Sequence, residues 1–147
     1  MRPEDTIDYH IKCSWHSIAK MYNQIASKYG MTQSVGYVLL IIDQNGTPAT
    51  KIGPELGMEP TSLTRLLKSM EDDGLIFRKK DKKDGRVVMV YLTESGIEKR
   101  KVARKVVRKF NDLILDEIKK QDFKVFVDVI EKVHQAVEKY KDISIVS

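Results

Sequence analysis

All the glycines and all but one of the prolines lie in the middle of this 147-residue chain. All eight glycines lie between Gly30 and Gly96, three of the four prolines lie between Pro48 and Pro60, and residues 97–147 contain neither type. Because Gly and Pro interrupt helices, long segments that lack both favour long helices. The sequence therefore predicts two helical arms around a middle of short elements, all within one domain of ordinary size.

Both arms carry apolar residues at the spacing of an amphipathic helix. The first arm predicts one helix that ends near Gly30, and the last arm predicts two helices with a break near residues 119–122. The apolar stripes consist of Ile7, Ile11, Trp15, Ile18, Tyr22, Ile25 and Tyr29, then Ala103, Val106, Val107, Phe110, Leu113 and Ile114, then Phe123, Phe126, Val127, Ile130, Val133, Val137 and Tyr140. Exposed stripes of this length are unfavourable, so we expect a homodimer that buries them.

Capping signals divide the middle of the chain into three short helices. Thr32 is an N-cap residue for a helix that runs to about Asp43. Thr47–Pro48 predicts the start of a second helix, with Thr as N-cap and Pro at the first helical position. Glu59–Pro60 repeats the proline signal for a third helix, which Gly74 ends in a left-handed conformation.

After the third helix the pattern changes to that of a β-hairpin. Residues 75–80 and 87–92 are rich in β-prone side chains, and Asp84-Gly85 between them is a strong turn signal. Thr93 is expected to cap the long helix that follows. A short helix, a turn, an amphipathic helix and a hairpin are typical of a winged helix-turn-helix, whose second helix enters the major groove of DNA. The predicted fold class is mainly α with a small β-hairpin wing.

The positive charge of the chain is concentrated in this hairpin. Lys and Arg number 26 against 21 Asp and Glu, a net charge of +5, and residues 76–86 alone carry six basic and two acidic side chains, a net +4. Such a hairpin can neutralise phosphates and offer an arginine to the minor groove. An exposed hairpin that lysines merely keep soluble is the alternative. The six basic residues are Arg78, Lys79, Lys80, Lys82, Lys83 and Arg86.

The third helix has a polar face opposite its leucines that suits DNA. Arg65 can pair with a guanine through two hydrogen bonds, and Lys68 adds charge. Asp72 and Asp73 fit DNA poorly, but they lie near the end of the helix, away from the half that usually contacts bases. An ordinary solvated face is the alternative for this helix taken alone. The face is centred on Thr61, Arg65, Lys68 and Asp72, with Ser62, Thr64 and Ser69 beside them.

The arms contain two further features. His10, Cys13 and His16 are spaced three apart, but they spread over about 120° of a helix with no obvious fourth ligand, so we predict no metal site. His134 is expected to be a core or interface histidine. A basic face in the last arm is expected to be solvated, with contacts to flanking DNA or an anionic small molecule as the alternative. It consists of Arg100, Lys101, Arg104, Lys105 and Arg108.

Several classes of protein are excluded by what the sequence lacks. Its single cysteine cannot form a disulfide framework, which favours a reducing, cytoplasmic setting. The first ten residues show no apolar signal region, and the longest apolar stretch, residues 35–42, is far too short for a membrane span. No phosphate-binding loop or catalytic motif is present, so we expect neither an enzyme nor a cofactor.

The hairpin sequence resembles the wing signature of the MarR family of dimeric winged-helix regulators. Residues 74–78 (GLIFR), 81–86 (DKKDGR) and 90–96 (VYLTESG) are similar to the family's G-L-x-x-R, D-x-x-D-x-R and L-T-x-x-G. The resemblance implies that Asp84 and Arg86 are the paired wing residues and that Arg86 reaches the minor groove. Residues 61–66 (TSLTRL) match the start of the family's recognition helix, which implies that Ser62, Thr64 and Arg65 contact the major groove.

The same resemblance implies a mechanism. Two subunits pair through their first and last helices and set two recognition helices about one DNA turn apart over a pseudo-palindrome. Repression follows from occlusion of a promoter, and a small anionic or phenolic effector that enters a cleft beside the winged module releases the DNA. The chain departs from the family at Pro54, which should kink or shorten its helix, and at Asp8, which stands where the peroxide-sensing branch has a reactive cysteine.

We therefore predict a single domain over residues 1–147, with a winged helix-turn-helix at 32–96 and dimerisation helices at 1–31 and 97–147. The predicted function is a DNA-binding transcriptional regulator, a repressor that a small molecule releases. A winged module that binds protein, and a thiol or metal sensor on the same scaffold, are the alternatives. The predicted DNA-binding residues are Thr61, Ser62, Thr64, Arg65, Lys68, Lys82, Lys83, Asp84 and Arg86.

Overall fold

A computed structural model describes residues 1–143 of the chain as six α-helices and three short strands. A 3-10 turn at Pro3–Asp5 precedes the first helix. The helices are α1 (Ile7–Ser27), α2 (Gln33–Ile41), α3 (Ala49–Leu56), α4 (Pro60–Asp72), α5 (Glu94–Leu115) and α6 (Lys120–Tyr140), and the strands are β1 (Thr47–Pro48), β2 (Ile76–Lys80) and β3 (Val88–Leu92). The predicted fold class, mainly helical with a hairpin wing, is confirmed.

The chain forms two compact units, and the boundary between them lies within α5. The first unit comprises Met1–Val106, and the second begins at Val107. Within residues 1–143, no helix is both long enough and apolar enough to cross a bilayer. The domain boundaries read from the sequence, at residues 32 and 96, stay a prediction.

The core of the first unit is the meeting point of the short helices and the sheet. Seven large side chains are almost completely buried there, namely Val38, Leu39, Ile42, Ile52, Met70, Ile76 and Val90. They come from α2, α3, α4, β2 and β3, with Ile42 directly after α2. Burial of this much apolar surface is what fixes the short helices against the sheet.

The predicted caps of α2 and α5 are both present. The Thr32 side chain accepts a hydrogen bond from the Val35 amide at the start of α2. The Thr93 hydroxyl accepts from the amide of Gly96 at 3.0 Å and donates to the carbonyl of Gly74 at 2.6 Å. Thr93 therefore caps α5 and also ties its beginning to the end of the α4 turn.

The prediction that Thr47 caps the second helix is wrong. Thr47 and Pro48 form strand β1 instead, in register with Val90 and Met89 of β3, and α3 begins only at Ala49. Thr47 is buried, and its hydroxyl accepts a hydrogen bond from the Asp43 amide at 2.8 Å, so it is not available to a helix start. The sheet consequently has three antiparallel strands in the order β1-β3-β2, one more than a simple hairpin.

The second unit presents apolar side chains without a core of its own. None of the residues of α6 is buried. Most of its large apolar side chains are exposed, namely Phe123, Val125, Phe126, Val127, Val129, Val137 and Tyr140. The break before α6 falls at residues 116–119, slightly earlier than predicted. His134 is exposed, so the prediction of a core histidine is wrong. The alternative, an interface histidine, stays a prediction.

Gly96 provides a test of how α5 is attached to the sheet. A Cβ at this position would lie 2.0 Å from the backbone oxygen of Leu75, an atom that cannot move away without disturbing β2. We expect Gly96→Ala to lower the free energy of unfolding by about 1–3 kcal/mol in urea denaturation. Gly85→Ala is the matched control, because a Cβ there meets nothing within 4 Å. Equal stability of the two variants would contradict this packing.

Candidate nucleic-acid interface

Helix α4 buries one side and exposes the other. Its buried residues are Leu63, Leu67 and Met70, which return every three to four residues and pack into the core. Pro60 occupies the first position, as predicted, where the absence of an amide hydrogen costs nothing. The periodicity of the helix then turns the opposite side outward. All the predicted α4 site residues are exposed, namely Thr61, Ser62, Thr64, Arg65 and Lys68.

The exposed α4 side chains differ in how free their polar groups are. Within residues 1–143, Arg65 has no hydrogen-bond or ion-pair partner. The Thr64 hydroxyl donates to the Pro60 carbonyl at 2.8 Å, so it can only accept a bond from a ligand. Lys68 donates to the Asp72 carboxylate at 2.8 Å, and this hydrogen bond raises the pKa of Lys68. Arg65 is therefore the free cation of this face.

The Lys68–Asp72 pair modifies the sequence interpretation of both residues. The sequence suggested Lys68 as an added positive charge and Asp72 as a misfit, but the two are four residues apart on one helix face and neutralise each other. Both side chains are mostly exposed, so the pair is weak and opens at little cost. A phosphate would therefore compete with Asp72 for the Lys68 ammonium, which keeps two further N–H donors.

The tip of the hairpin between β2 and β3 is held by its own backbone and by Asp84. The Asp81 amide donates to the Val87 carbonyl at 2.8 Å, and the Val87 amide donates to the Asp84 carbonyl at 3.0 Å. The Asp84 carboxylate accepts from the backbone amide of Arg86 at 3.1 Å and from its Nε at 3.2 Å. These two bonds, the backbone bond first, lower the pKa of Asp84.

Asp84 is thus a residue that orients Arg86. The Arg86 side chain is 92% exposed, and its bond to the carboxylate is made through Nε. Lys82 and Lys83 lie beside it at the tip and are also exposed. The structure brings Asp84 and Arg86 together as the wing signature implies, whereas it shows no contact between Arg65 and the hairpin.

A contact that sequence reasoning missed joins α4 to the wing. The Arg78 guanidinium donates to both oxygens of the Glu71 carboxylate, from Nε at 3.1 Å and from Nη2 at 3.2 Å. This hydrogen bond lowers the pKa of Glu71 and raises that of Arg78. Strand alternation was the available signal, because Arg78 lies two residues after buried Ile76 and so points toward the same side.

Arg78 must therefore be removed from the predicted set of free wing charges. The remaining basic residues of the hairpin are Lys79, Lys80, Lys82, Lys83 and Arg86, all of them exposed. Lys79 lies over the ring of Phe77, 5.4 Å from its centroid, and Phe77 stacks on Tyr91 across the two strands. The hairpin keeps a strong positive charge, and its outer surface is stiffened by the aromatic pair.

The basic face of α5 is only partly free. Arg100 donates to the carbonyl of Ile42 at 2.9 Å, and Lys101 pairs with Glu98 at 2.8 Å. Arg104, Lys105 and Arg108 are exposed and take part in no ion pair of the described residues. Arg100 therefore has a structural role, which the sequence pattern did not indicate.

The histidine and cysteine pattern of α1 gains no further metal-binding side chain among the described residues. His10 Nε2 lies 2.7 Å from the carbonyl oxygen of Glu4, and Cys13 is exposed. Across residues 1–143, no group of three or more His, Cys, Asp or Glu side chains is placed to hold a metal ion.

The α3–turn–α4 arrangement with its adjoining basic hairpin defines a winged helix-turn-helix protein. Residues 20–102 match the family model described as "Transcriptional regulator SarA/Rot". The chain therefore belongs to the SarA/Rot family of transcriptional regulators. The predictions of a MarR-like fold and of a transcriptional regulator are confirmed.

Three similar proteins illustrate the relationship. The organic hydroperoxide resistance transcriptional regulator of Bacillus subtilis is 32% identical over 97 residues, which are 65% of this chain and 66% of that protein. The regulator SarZ of Staphylococcus aureus is 30% identical over 108 residues, 71% of this chain and 72% of SarZ. The crystal structure of the S. aureus MepR–DNA complex matches with a TM-score of 0.80 and 19% identity, covering 90% of this chain and 98% of MepR.

Proposed function

We propose that this chain binds a pseudo-palindromic operator in double-stranded DNA as a homodimer and represses transcription by occluding a promoter. The observation that carries the proposal is a pair of exposed arginines within the first unit. Arg65 on α4 has no partner among residues 1–143, and Arg86 on the wing bonds Asp84 through Nε. We infer a non-enzymatic protein that acts where DNA is found, in the cytoplasm.

The two arginines suit two different parts of a duplex. Arg65 lies in the first half of α4, where a recognition helix meets base edges, and its guanidinium matches the N7 and O6 acceptors of guanine. Arg86 extends from a narrow hairpin tip, a shape that enters the minor groove. Lys82 and Lys83 then lie close to the phosphates on either side. Helix and wing would thus read one half-site together.

The exposed apolar faces support the homodimer. The stripe of α6 has no buried member, and on α1 the side chains of Ile7 and Trp15 are about half exposed or more. Amphipathic helices of this length gain most of their stability from burying one face. A second copy of the chain would supply that burial for both helices, and the dimer would carry two winged helix-turn-helix modules.

A cavity in the first unit is the proposed place for an effector. It has a volume of about 280 Å³ and lies among α1, α2 and the end of α3. Trp15 and Tyr37 contribute aromatic rings 6.0 Å apart, and burial raises the pKa of Tyr37. The other lining residues are Gln33, Ser34, Glu55, Leu56 and Met58.

The lining of this cavity favours a phenolic over an anionic effector. Glu55 is its one charged lining residue, and a carboxylate repels an anion but accepts a hydrogen bond from a neutral hydroxyl. We therefore propose a neutral phenolic compound. Leu56 ends α3, and Met58 lies in the short link at residues 57–59 that leads into α4. An occupant of the cavity would therefore press directly on the start of the recognition helix.

Salt and arginine dependence test the DNA-binding proposal. With a palindromic duplex selected from a random pool, we expect affinity measured by fluorescence anisotropy to fall by orders of magnitude between about 50 and 200 mM salt. Arg65→Ala should cost about 1–3 kcal/mol on the selected site and far less on random duplex, and Arg86→Ala should weaken binding of both. Lys28→Ala, an exposed lysine outside α4 and the wing, is the control. A flat salt response would favour a protein partner.

The effector proposal is tested with the only tryptophan of the chain. We expect phenol derivatives to quench Trp15 fluorescence and to release the selected duplex, whereas benzoate of similar size does neither. Glu55→Gln removes the negative charge from the cavity, so it should let benzoate bind. Quenching by benzoate that is stronger than by a neutral phenol in the unaltered protein would contradict the proposed ligand class.

A further inference from the structure

The ion pair between Glu71 and Arg78 differs from every other ion pair of residues 1–143. The other pairs join residues two to four positions apart, in one helix or one turn. Glu71 and Arg78 belong to different elements, the last turn of α4 and the middle of β2. Theirs is thus the one ion pair among the described residues that links two elements of secondary structure.

The geometry of this pair restricts orientation as well as distance. Two parallel hydrogen bonds of 3.1 and 3.2 Å hold the planar guanidinium against the carboxylate. Both side chains are about 30% exposed, so solvent screens this pair less than it screens the Lys68–Asp72 pair, whose side chains are about twice as exposed. Each partner is also anchored, because Met70 and Ile76 beside them are fully buried in the core.

The two elements that the pair joins carry the two arginines of the proposed DNA interface. Arg65 lies on α4 less than two turns before Glu71, and β2 runs from Arg78 toward the hairpin tip with Arg86. A hairpin attached only at its base can swing, and its tip moves furthest. A fixed angle between α4 and β2 is therefore what lets both arginines meet one half-site at the same time.

We propose that Glu71 is a positioning residue that, through Arg78, holds the wing at the angle required for helix and wing to engage DNA together. The inference rests on the proposed function, since it concerns how the same site is preorganised. Glu71 would have no need to touch DNA, and its pair with Arg78 adds no net charge to the surface.

The direction in which Glu71→Gln changes DNA affinity distinguishes a positioning role from a purely electrostatic one. Glu71→Gln removes a negative charge next to the surface that faces DNA, so electrostatics alone predicts tighter binding. Loss of the bidentate pair frees the wing, and positioning predicts weaker binding. Asp73→Asn is the matched control, because it removes the same charge from an exposed residue at the end of α4 that forms no ion pair in the described chain.

We expect Glu71→Gln to bind the selected duplex about tenfold more weakly than the unaltered protein, an effect comparable to losing a few phosphate contacts. Asp73→Asn should bind at least as tightly as the unaltered protein. Hydroxyl-radical footprinting should show protection of the deoxyriboses lost at the minor groove. Methylation by dimethyl sulfate should show that guanine N7 stays protected in the major groove. Thermal unfolding identifies any loss of fold, and Arg78→Lys, which keeps the charge but not the two-pronged geometry, gives a second variant with the same expectation.

Exchange of the two residues completes the test. Glu71→Arg and Arg78→Glu should each weaken binding, and the double variant, which keeps the net charge, should recover most of the affinity. The positioning role would be overturned if Glu71→Gln bound DNA as tightly as Asp73→Asn and still protected the minor groove. Failure of the unaltered protein to bind any duplex would instead overturn the proposed function, so the two failures are distinguishable.

Discussion

The anchoring of α4 in the core is the constraint on which the rest of this structure depends. Leu63, Leu67 and Met70 are buried against α2, α3 and the sheet, and their spacing leaves one rotation of the helix about its axis. That rotation alone decides that Arg65 faces outward. The same buried cluster includes Ile76 and Val90, so the base of the wing is fixed by the very contacts that orient the helix.

Ion pairing, and not the number of basic residues in the sequence, determines which positive charges of this candidate interface are available to a ligand. Lys68 and Arg78 are basic residues at the site, yet both are bonded to carboxylates of α4, whereas Arg65 has no partner among the described residues. At the hairpin tip, the Asp84 carboxylate accepts a hydrogen bond from Arg86 Nε and so orients the Arg86 side chain. The acidic residues near the interface are thus part of its geometry, since each one that bonds a cation also determines where that cation points.

Local sequence patterns predicted most helices and strands of this fold, but they did not predict contacts between elements. The caps at Thr32 and Thr93, the proline start of α4 and the turn at Asp84 depend on neighbours within a few positions, and the structure contains all of them. Strand β1 was missed because its partner lies over forty residues away in β3. The Glu71–Arg78 pair was missed because side-chain pairing across elements depends on packing that periodicity does not encode.

The central claim is that α4 and the wing face the same DNA half-site in each of two subunits. Because Cys13 is the only cysteine, a Cys13→Ser background allows an iron chelate to be attached at Ser69→Cys on α4 or at Gly85→Cys on the wing, and its cuts in the selected duplex to be mapped. The account predicts that both positions cut within one half-site, about half a helical turn apart, with a mirrored pattern in the other half. Cutting from only one of the two positions, or a pattern without its mirror image, would contradict it.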